Sequence, residues 1–545
     1  MHSRRSFLKT TSATAGLFLL SGNFWVRGMG LINSPEEYIT AETQYGSIRG
    51  SRSQGVNAFK GIPYAGSVSG LNRFKMPAQL KPWTGIRDAL TLGAPAIQAP
   101  RRGEPQPDED CLFLNVWTPA NDNKKRTVMF YNHGGGFVIG SGGSAVQDGA
   151  NLARNFDVVV VETNHRLGIL GFLYLDAIGG EEYAGSGNMG LLDITEGLKW
   201  VHNNIESFGG DPENVMIFGE SGGGAKTSCL YTMPAAAPYF NKASIESGPG
   251  VRMLTKEMAE QNTEMILRQF GLTKSNWRKL LDIPAAEILK VQSQLPFVPP
   301  FQERTTASSL AKTQVGGVGP VIDGVVMSQH PFDPVAPAIS KDKPLMVGWN
   351  EDEYTFFAWE RRDTEFANLD FKGLEKRLTP QFGNDTQKII STYRQARPQA
   401  SAADIFIAVS SITMMGLGSV EIAEAKLDQQ SAPVYLYNFG YKSERTIPGT
   451  DYPMGTPHAM DISFKFNNEV PPKAGEKDQP SFFGGGRPER FEASHKMASY
   501  WTGFAKTGKP HGDALPEWPE YNLNNKPMMR IAEHCEVIDL SLIHI

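Results

Sequence analysis

The sequence predicts an α/β fold, with a large, mostly parallel but mixed central sheet flanked by helices. Three observations carry this. Apolar runs of strand length recur at residues 127–131, 157–163, 243–246 and 345–348. The chain between them has helical period. Several of the runs end abruptly in glycine or in a polar turn. Continuous apolar strands joined by helical crossovers belong to parallel sheets covered on both faces.

Taken in order, residues 1–30 stand apart. Ser3-Arg4-Arg5-Ser6-Phe7-Leu8-Lys9 reads as a twin-arginine export signal, and the small, apolar stretch 10–22 is too short for a comfortable membrane span. The expectation is export to the periplasm or beyond, with the segment acting as an anchor if it stays uncut. Residues 31–545 are expected to form one domain, because no linker, repeat or low-complexity tract interrupts them.

Residues 44–61 read as short strands broken by glycine, and 66–107 as surface loops. Residues 111–117 form a strand of β-branched and aromatic character. The buried strand 127–131 runs into Asn132-His133-Gly134-Gly135-Gly136-Phe137. A further strand, 157–163, precedes a helix at 190–207, where Ile194, Leu198, Val201 and Ile205 share one face. Gly209-Gly210-Asp211-Pro212 stops that helix.

Next comes a strand at 214–219, a lone serine and a helix at 225–233. Their junction is Gly219-Glu220-Ser221-Gly222-Gly223, a G-x-S-x-G pattern between strand and helix. Such a turn leaves the serine strained and exposed, over a helix N-terminus whose N–H groups favour negative charge. Strand 243–246 follows, then helical sequence at 255–294. The proline-rich apolar stretch 297–301 and the loop 482–486 are candidate pocket walls. Residues 320–324 read as a hairpin-like turn. Helices are expected at 374–428 and 490–506, a strand at 434–439, and short strands at the C-terminus, one of them carrying His534.

Composition narrows the function. The 545 residues are 40% hydrophobic and 20% charged with net charge −5, an ordinary soluble globular balance without the basic surplus a nucleic-acid partner demands. The 3 cysteines, Cys111, Cys229 and Cys535, are an odd number and build no disulfide framework. They do not sit at metal-ligand spacing, no H-E-x-x-H occurs, and no cofactor or metal is expected.

A serine hydroxyl needs a base, and the base needs an orienting acid. On this kind of turn both follow the serine, each after a strand, acid first. Glu351, Asp352 and Glu353 follow the 345–348 strand, and the residues alone leave the choice among them open. Among the later histidines, His458 lies in a loop beyond the 434–439 strand, where the base belongs. His511 is the runner-up. His495 falls mid-helix and His544 in the tail. Three successive glycines after His133 let backbone N–H groups converge on a ligand.

Together these segments resemble the type-B carboxylesterase family, which includes the cholinesterases. The carrying residues are Gly61-Ile62-Pro63-Tyr64-Ala65, Glu109 to Val116, His133 to Phe137, Asn188 to Asp193, Phe208 to Pro212 and Gly219 to Gly223. The resemblance covers about residues 40–540 and implies an α/β-hydrolase fold. It implies hydrolysis of small-molecule carboxylic esters through an acyl-enzyme, without a cofactor. It selects Ser221, Glu353 and His458 as the triad and the N–H groups of Gly135, Gly136 and Gly222 as the oxyanion hole. It puts Ser247 close to the acid and Glu220 beside the nucleophile, and pairs Arg73 with Glu109. Lactonase, amidase or transacylase chemistry on the same triad is the enzymatic alternative, and a non-catalytic adhesion domain the rival from another class. Substrate preference and oligomeric state are not legible.

The departures from the family are few. Gly222 stands where the family usually has Ala, which predicts a looser elbow. Tyr354 replaces the usual Gly after the acid. The cysteine that often pairs with Cys111 is missing. No tryptophan lies between Trp83 and Cys111, so the cation–π anchor for a choline ester is absent.

Overall fold

The computed structural model describes residues 37–295 and 317–540. The twin-arginine segment, the stretch 297–301 and His544 lie outside the described residues. At one edge of the sheet, β1 (Glu37–Thr43), β2 (Gly46–Ser53) and β3 (Val56–Pro63) form an antiparallel meander. The short β4 (Ile86–Asp88), within the stretch expected as loops, lies parallel to β2. β5 (Phe113–Thr118) is antiparallel to both its neighbours, β3 and, further along the chain, β7 (Val159–Thr163).

The interior is β6 (Arg126–Asn132), β7 (Val159–Thr163), β8 (Gly210–Glu220) and β9 (Lys242–Glu246). β10 (Leu254–Thr255) and β11 (Val321–Ile322) form a separate parallel ladder. The segment expected as a hairpin-like turn is therefore a strand paired with chain far away in sequence. β12 (Leu345–Asn350) and β13 (Val434–Phe439) extend the main sheet, and β14 (Ser443–Thr446) pairs with β15 (Pro453–Gly455) outside it. β16 (Pro527–Ile531) and β17 (Glu536–Asp539) close the far edge. His534 falls in the exposed turn between these last two strands, not in a strand.

The result is a 13-stranded sheet in the order β1-β2-β3-β5-β7-β6-β8-β9-β12-β13-β16-β17, with β4 on β2. Every neighbouring pair from β7 to β16 is parallel. Order reverses between β7 and β8, and the carboxyl ends of parallel strands beside such a point are where an open sheet places its ligand site.

Side-chain alternation sorts the buried strands into two cores. Val128, Phe130, Val161, Val215 and Ile217 face one layer, where Leu191, Ile194, Leu198 and Val201 of helix Met189–Asn204 cover them. Met129, Tyr131, Val160, Met216 and Phe218 face the other, under Met497, Trp501 and Phe504 of helix Glu489–Thr507. Both faces being covered explains why these strands read as unbroken apolar runs. A third cluster joins the helices at residues 371–411 through Leu374, Leu378, Ile405 and Phe406. The continuous helical run Ala402–Leu427 is long and apolar enough to cross a membrane, yet 56% of its most apolar window is buried inside the protein.

Two ion pairs, one fully and one largely buried, pin the loops above the sheet. Arg166, after β7, makes a two-pronged contact with Asp193 at 2.8 and 2.7 Å. Arg73 grips Glu109 likewise at 2.6 and 2.5 Å, as the family resemblance implied.

Candidate active site

β8 ends at Glu220, and helix Gly222–Thr232 starts after a single intervening residue, earlier than its sequence pattern suggests. Ser221 between them has φ 57° and ψ −124°, a conformation that costs about 1–3 kcal/mol for a non-glycine residue. The elbow is held from both sides. Ser221 N–H donates to Glu246 O at 2.8 Å, and Ala225 N–H donates to Ser221 O at 3.1 Å. Close packing admits no side chain behind it, since a Cβ on Gly223 would sit 1.9 Å from Asn132 O.

The three consecutive acids after β12 have three different fates. Glu351 is held by Lys442 at 3.0 Å and Arg530 at 3.1 Å. Asp352 also meets Lys442, and accepts from Thr456 N–H at 2.8 Å. Glu353 is fully buried. Its Oε1 accepts from Asn350 N–H at 2.8 Å, and its Oε2 lies 2.6 Å from His458 Nδ1. The neighbours of the acid also steer the histidine loop, because Asn350 Nδ2 donates to Pro457 O at 2.8 Å.

His458 sits in that loop, between β15 and helix Asp461–Lys465, with its Nε2 2.8 Å from Ser221 Oγ. In the neutral imidazole Nδ1–H donates to Glu353, which leaves the Nε2 lone pair facing the serine. Burial by itself lowers the imidazole pKa, but the carboxylates of Glu220 and Glu353 outweigh it and raise His458 to about 9. Burial pushes the Glu220 carboxyl up to about 8. These two groups titrate as a pair.

His495 stacks on Phe156 on the exposed side of its helix, while His511 and His534 are exposed in loops. None of these contacts Ser221. Two aromatic residues that sequence reasoning missed do border the site. The rings of Phe356 and Phe357 lie 5.6 and 5.0 Å from that of His458. Phe483 and Trp359 pack on Phe356, and Phe482 on both of them. The loop 482–486 therefore reaches this aromatic wall. The signal was present in Tyr354-Thr355-Phe356-Phe357, one helical turn past the acid.

Gly134, Gly135 and Gly136 follow β6 directly. Gly135 and Gly136 have φ of 88° and 62°, and their N–H groups find no acceptor among the described residues. Gly222 N–H, first in its helix, is likewise free of intrahelical bonding. A Cβ on Gly222 would lie 2.2 Å from Gly136 O and 2.4 Å from Gly136 N. The elbow is therefore tighter against the glycine loop, not looser as expected. The loop occupies the space an alanine methyl would need.

Behind the elbow, Glu246 and Asp461 share Lys465 at 2.5 and 2.8 Å, all three fully buried. Ser247 adjoins Glu246 and donates its N–H to Gly348 O at 2.8 Å. Its Oγ has no hydrogen-bond partner among the described residues, and its tie to the acid segment there runs through backbone. Cys111 and Cys229 are buried free thiols. No cluster of metal-ligating side chains occurs among the described residues.

A serine on a strand–helix elbow, a buried carboxylate–imidazole pair and a glycine loop, set on this sheet, define an α/β-hydrolase. Comparison with known proteins narrows the class. Residues 37–542 match the model of the carboxylesterase family, so the chain belongs to that family and is a carboxylic ester hydrolase. It is 33% identical to the para-nitrobenzyl esterase of Bacillus subtilis (strain 168) over 88% of this chain and 92% of that one. It is 31% identical to the fumonisin B1 esterase of Sphingopyxis macrogoltabida, over 90% and 86%. The carboxylesterase EST55 of Geobacillus stearothermophilus, solved at pH 6.2, superposes with a TM-score of 0.76 at 34% identity, covering 92% and 98%.

Proposed function

We propose that the protein hydrolyses small-molecule carboxylic esters in two acyl-transfer steps, with Ser221 as nucleophile, His458 as general base and acid, and Glu353 as its orienting partner. The observation that carries this reading is the continuous chain Ser221 Oγ–His458–Glu353, at 2.8 and 2.6 Å. Ser221 Oγ bonds to the ester carbonyl carbon as its proton passes to His458 Nε2. The carbonyl oxygen becomes an oxyanion bound by the N–H groups of Gly135, Gly136 and Gly222. One such donor is worth about 10²–10³ in rate. The imidazolium, steadied by Glu353, returns the proton to the leaving alcohol. Water then repeats the sequence on the acyl-serine, and the acid is released.

Aromatic surface beside His458 favours esters with an aromatic group, a preference in keeping with the name of the para-nitrobenzyl esterase relative. The Ser3–Lys9 run supports export by the twin-arginine route. An Arg4→Lys/Arg5→Lys variant that still reached the periplasm would refute it.

The mechanism is tested with Ser221→Ala. Turnover of a p-nitrophenyl acyl ester should vanish, together with labelling by an organophosphate. Near-normal turnover would remove the assignment. Amide and lactone substrates in the same assay separate esterase activity from the alternatives.

A further inference from the structure

Lys226 lies in the helix that begins just after Ser221, and it is fully buried. No carboxylate lies within ion-pair distance of its Nζ among the described residues, and the one acceptor it has there is the backbone carbonyl of His133, at 2.9 Å. A lysine so placed is expensive to keep: burial pushes its pKa down to about 7. The titratable groups facing it are the His133 and His165 rings, stacked at 4.5 Å, and Cys229 on its own helix. The positive charge of Arg101 also acts on His133. Among the described residues nothing offers an anionic partner that would account for a lysine here as an ion-pair residue.

His133 is the residue before the glycine loop. Its neighbour Asn132 donates from Nδ2 to Thr227 Oγ1 at 2.9 Å. Adjacent residues 226 and 227 on the helix therefore hold adjacent residues 132 and 133 at the end of β6. These two segments carry the separate halves of the proposed oxyanion hole. Gly222 N–H belongs to the helix, and the N–H groups of Gly135 and Gly136 belong to the loop.

We propose that Lys226 is a positioning residue for catalysis: its hydrogen bond to His133 O fixes the glycine loop against the nucleophile helix, so that N–H groups from both converge on one point. The proposal rests on the oxyanion-hole reading given above. Nζ donates as ammonium or as amine, so the tie persists on either side of pH 7. Hydrogen-bond donors aimed at developing charge act only when held in place before the reaction, and a small displacement of the loop weakens them in the transition state more than in the ground state.

The test compares Lys226→Met, Lys226→Gln and Gly222→Ala with the parent enzyme. Active sites are counted by organophosphate titration, and kcat, KM and the inhibition constant of an aryl trifluoromethyl ketone are measured. K226M is expected to lower kcat per titrated site by about tenfold or more, with KM changed less than about threefold. Affinity for the ketone, which forms a tetrahedral oxyanion adduct, should fall in step with kcat. K226Q should fall between K226M and the parent, and it decides the matter if K226M does not fold. G222A, which presses on Gly136, reports on the oxyanion hole itself. If the Lys226 variants lose only thermal stability while G222A loses kcat and ketone affinity, the proposal fails and the oxyanion reading stands. If G222A keeps both, the oxyanion reading fails, and the proposal with it.

Discussion

Oε1 of Glu220 lies 3.3 Å from Nε2 of His458, the same nitrogen that Ser221 reaches at 2.8 Å. The imidazole is therefore flanked by carboxylates at both nitrogens, and its charged form is favoured from both sides.

This arrangement sets the pH dependence. Only neutral imidazole can accept the serine proton, so activity rises as pH passes the His458 pKa, raised to about 9 despite burial by Glu220 and Glu353. Glu220→Gln removes one of those charges and lowers that pKa. The acid limb of the kcat/KM profile should move to lower pH by about one unit or more. An unmoved limb would mean that Glu220 carries no charge in the free enzyme.

The three neighbouring acids can be told apart by rate. Glu353→Gln should lower kcat by about 10³–10⁴, because the imidazole loses its fixed tautomer. Glu351→Gln removes contacts to Lys442 and Arg530 only, and should stay within about tenfold of the parent. Steady-state kinetics of the two variants on one ester checks both.

Gly222→Ala installs the residue the family usually carries, yet it should slow this enzyme. Its methyl would meet Gly136 backbone at 2.2–2.5 Å, and the loop must move to admit it. A fall in kcat of about tenfold or more is expected. Unchanged kcat, with unchanged affinity for the ketone, would count against the oxyanion-hole reading, because shifting Gly136 would then not matter to the reaction.

Lys465 is bound to stability more than to rate. Replacing it by Met leaves Glu246 and Asp461 buried without their cation. Breaking a buried pair in this way costs about 3–5 kcal/mol. The melting temperature should drop by several degrees, and the double variant Lys465→Met/Asp461→Asn should recover part of the loss. Calorimetry at fixed protein concentration measures both.

Much of this protein was legible in one dimension. Strands buried on both faces announce themselves as unbroken apolar runs, and the G-x-S-x-G elbow needs its glycines because backbone passes within contact distance. Local geometry is written in local residues, so Ser221 and the Gly134–Gly136 loop could be named directly. The acid and the histidine were another matter. Glu351, Asp352 and Glu353 are chemically alike in sequence, and residues that match a family had to choose among them.

Only the folded sheet separates them. β12 ends where Lys442, Arg530 and Thr456 take the first two acids and leave the third aimed at His458, 105 residues away. The Glu220 contact, the phenylalanine wall and the Lys226 tie belong to the same category. Each joins groups far apart along the chain, and such distances are set by how layers of helices pack on a sheet, which no local pattern encodes.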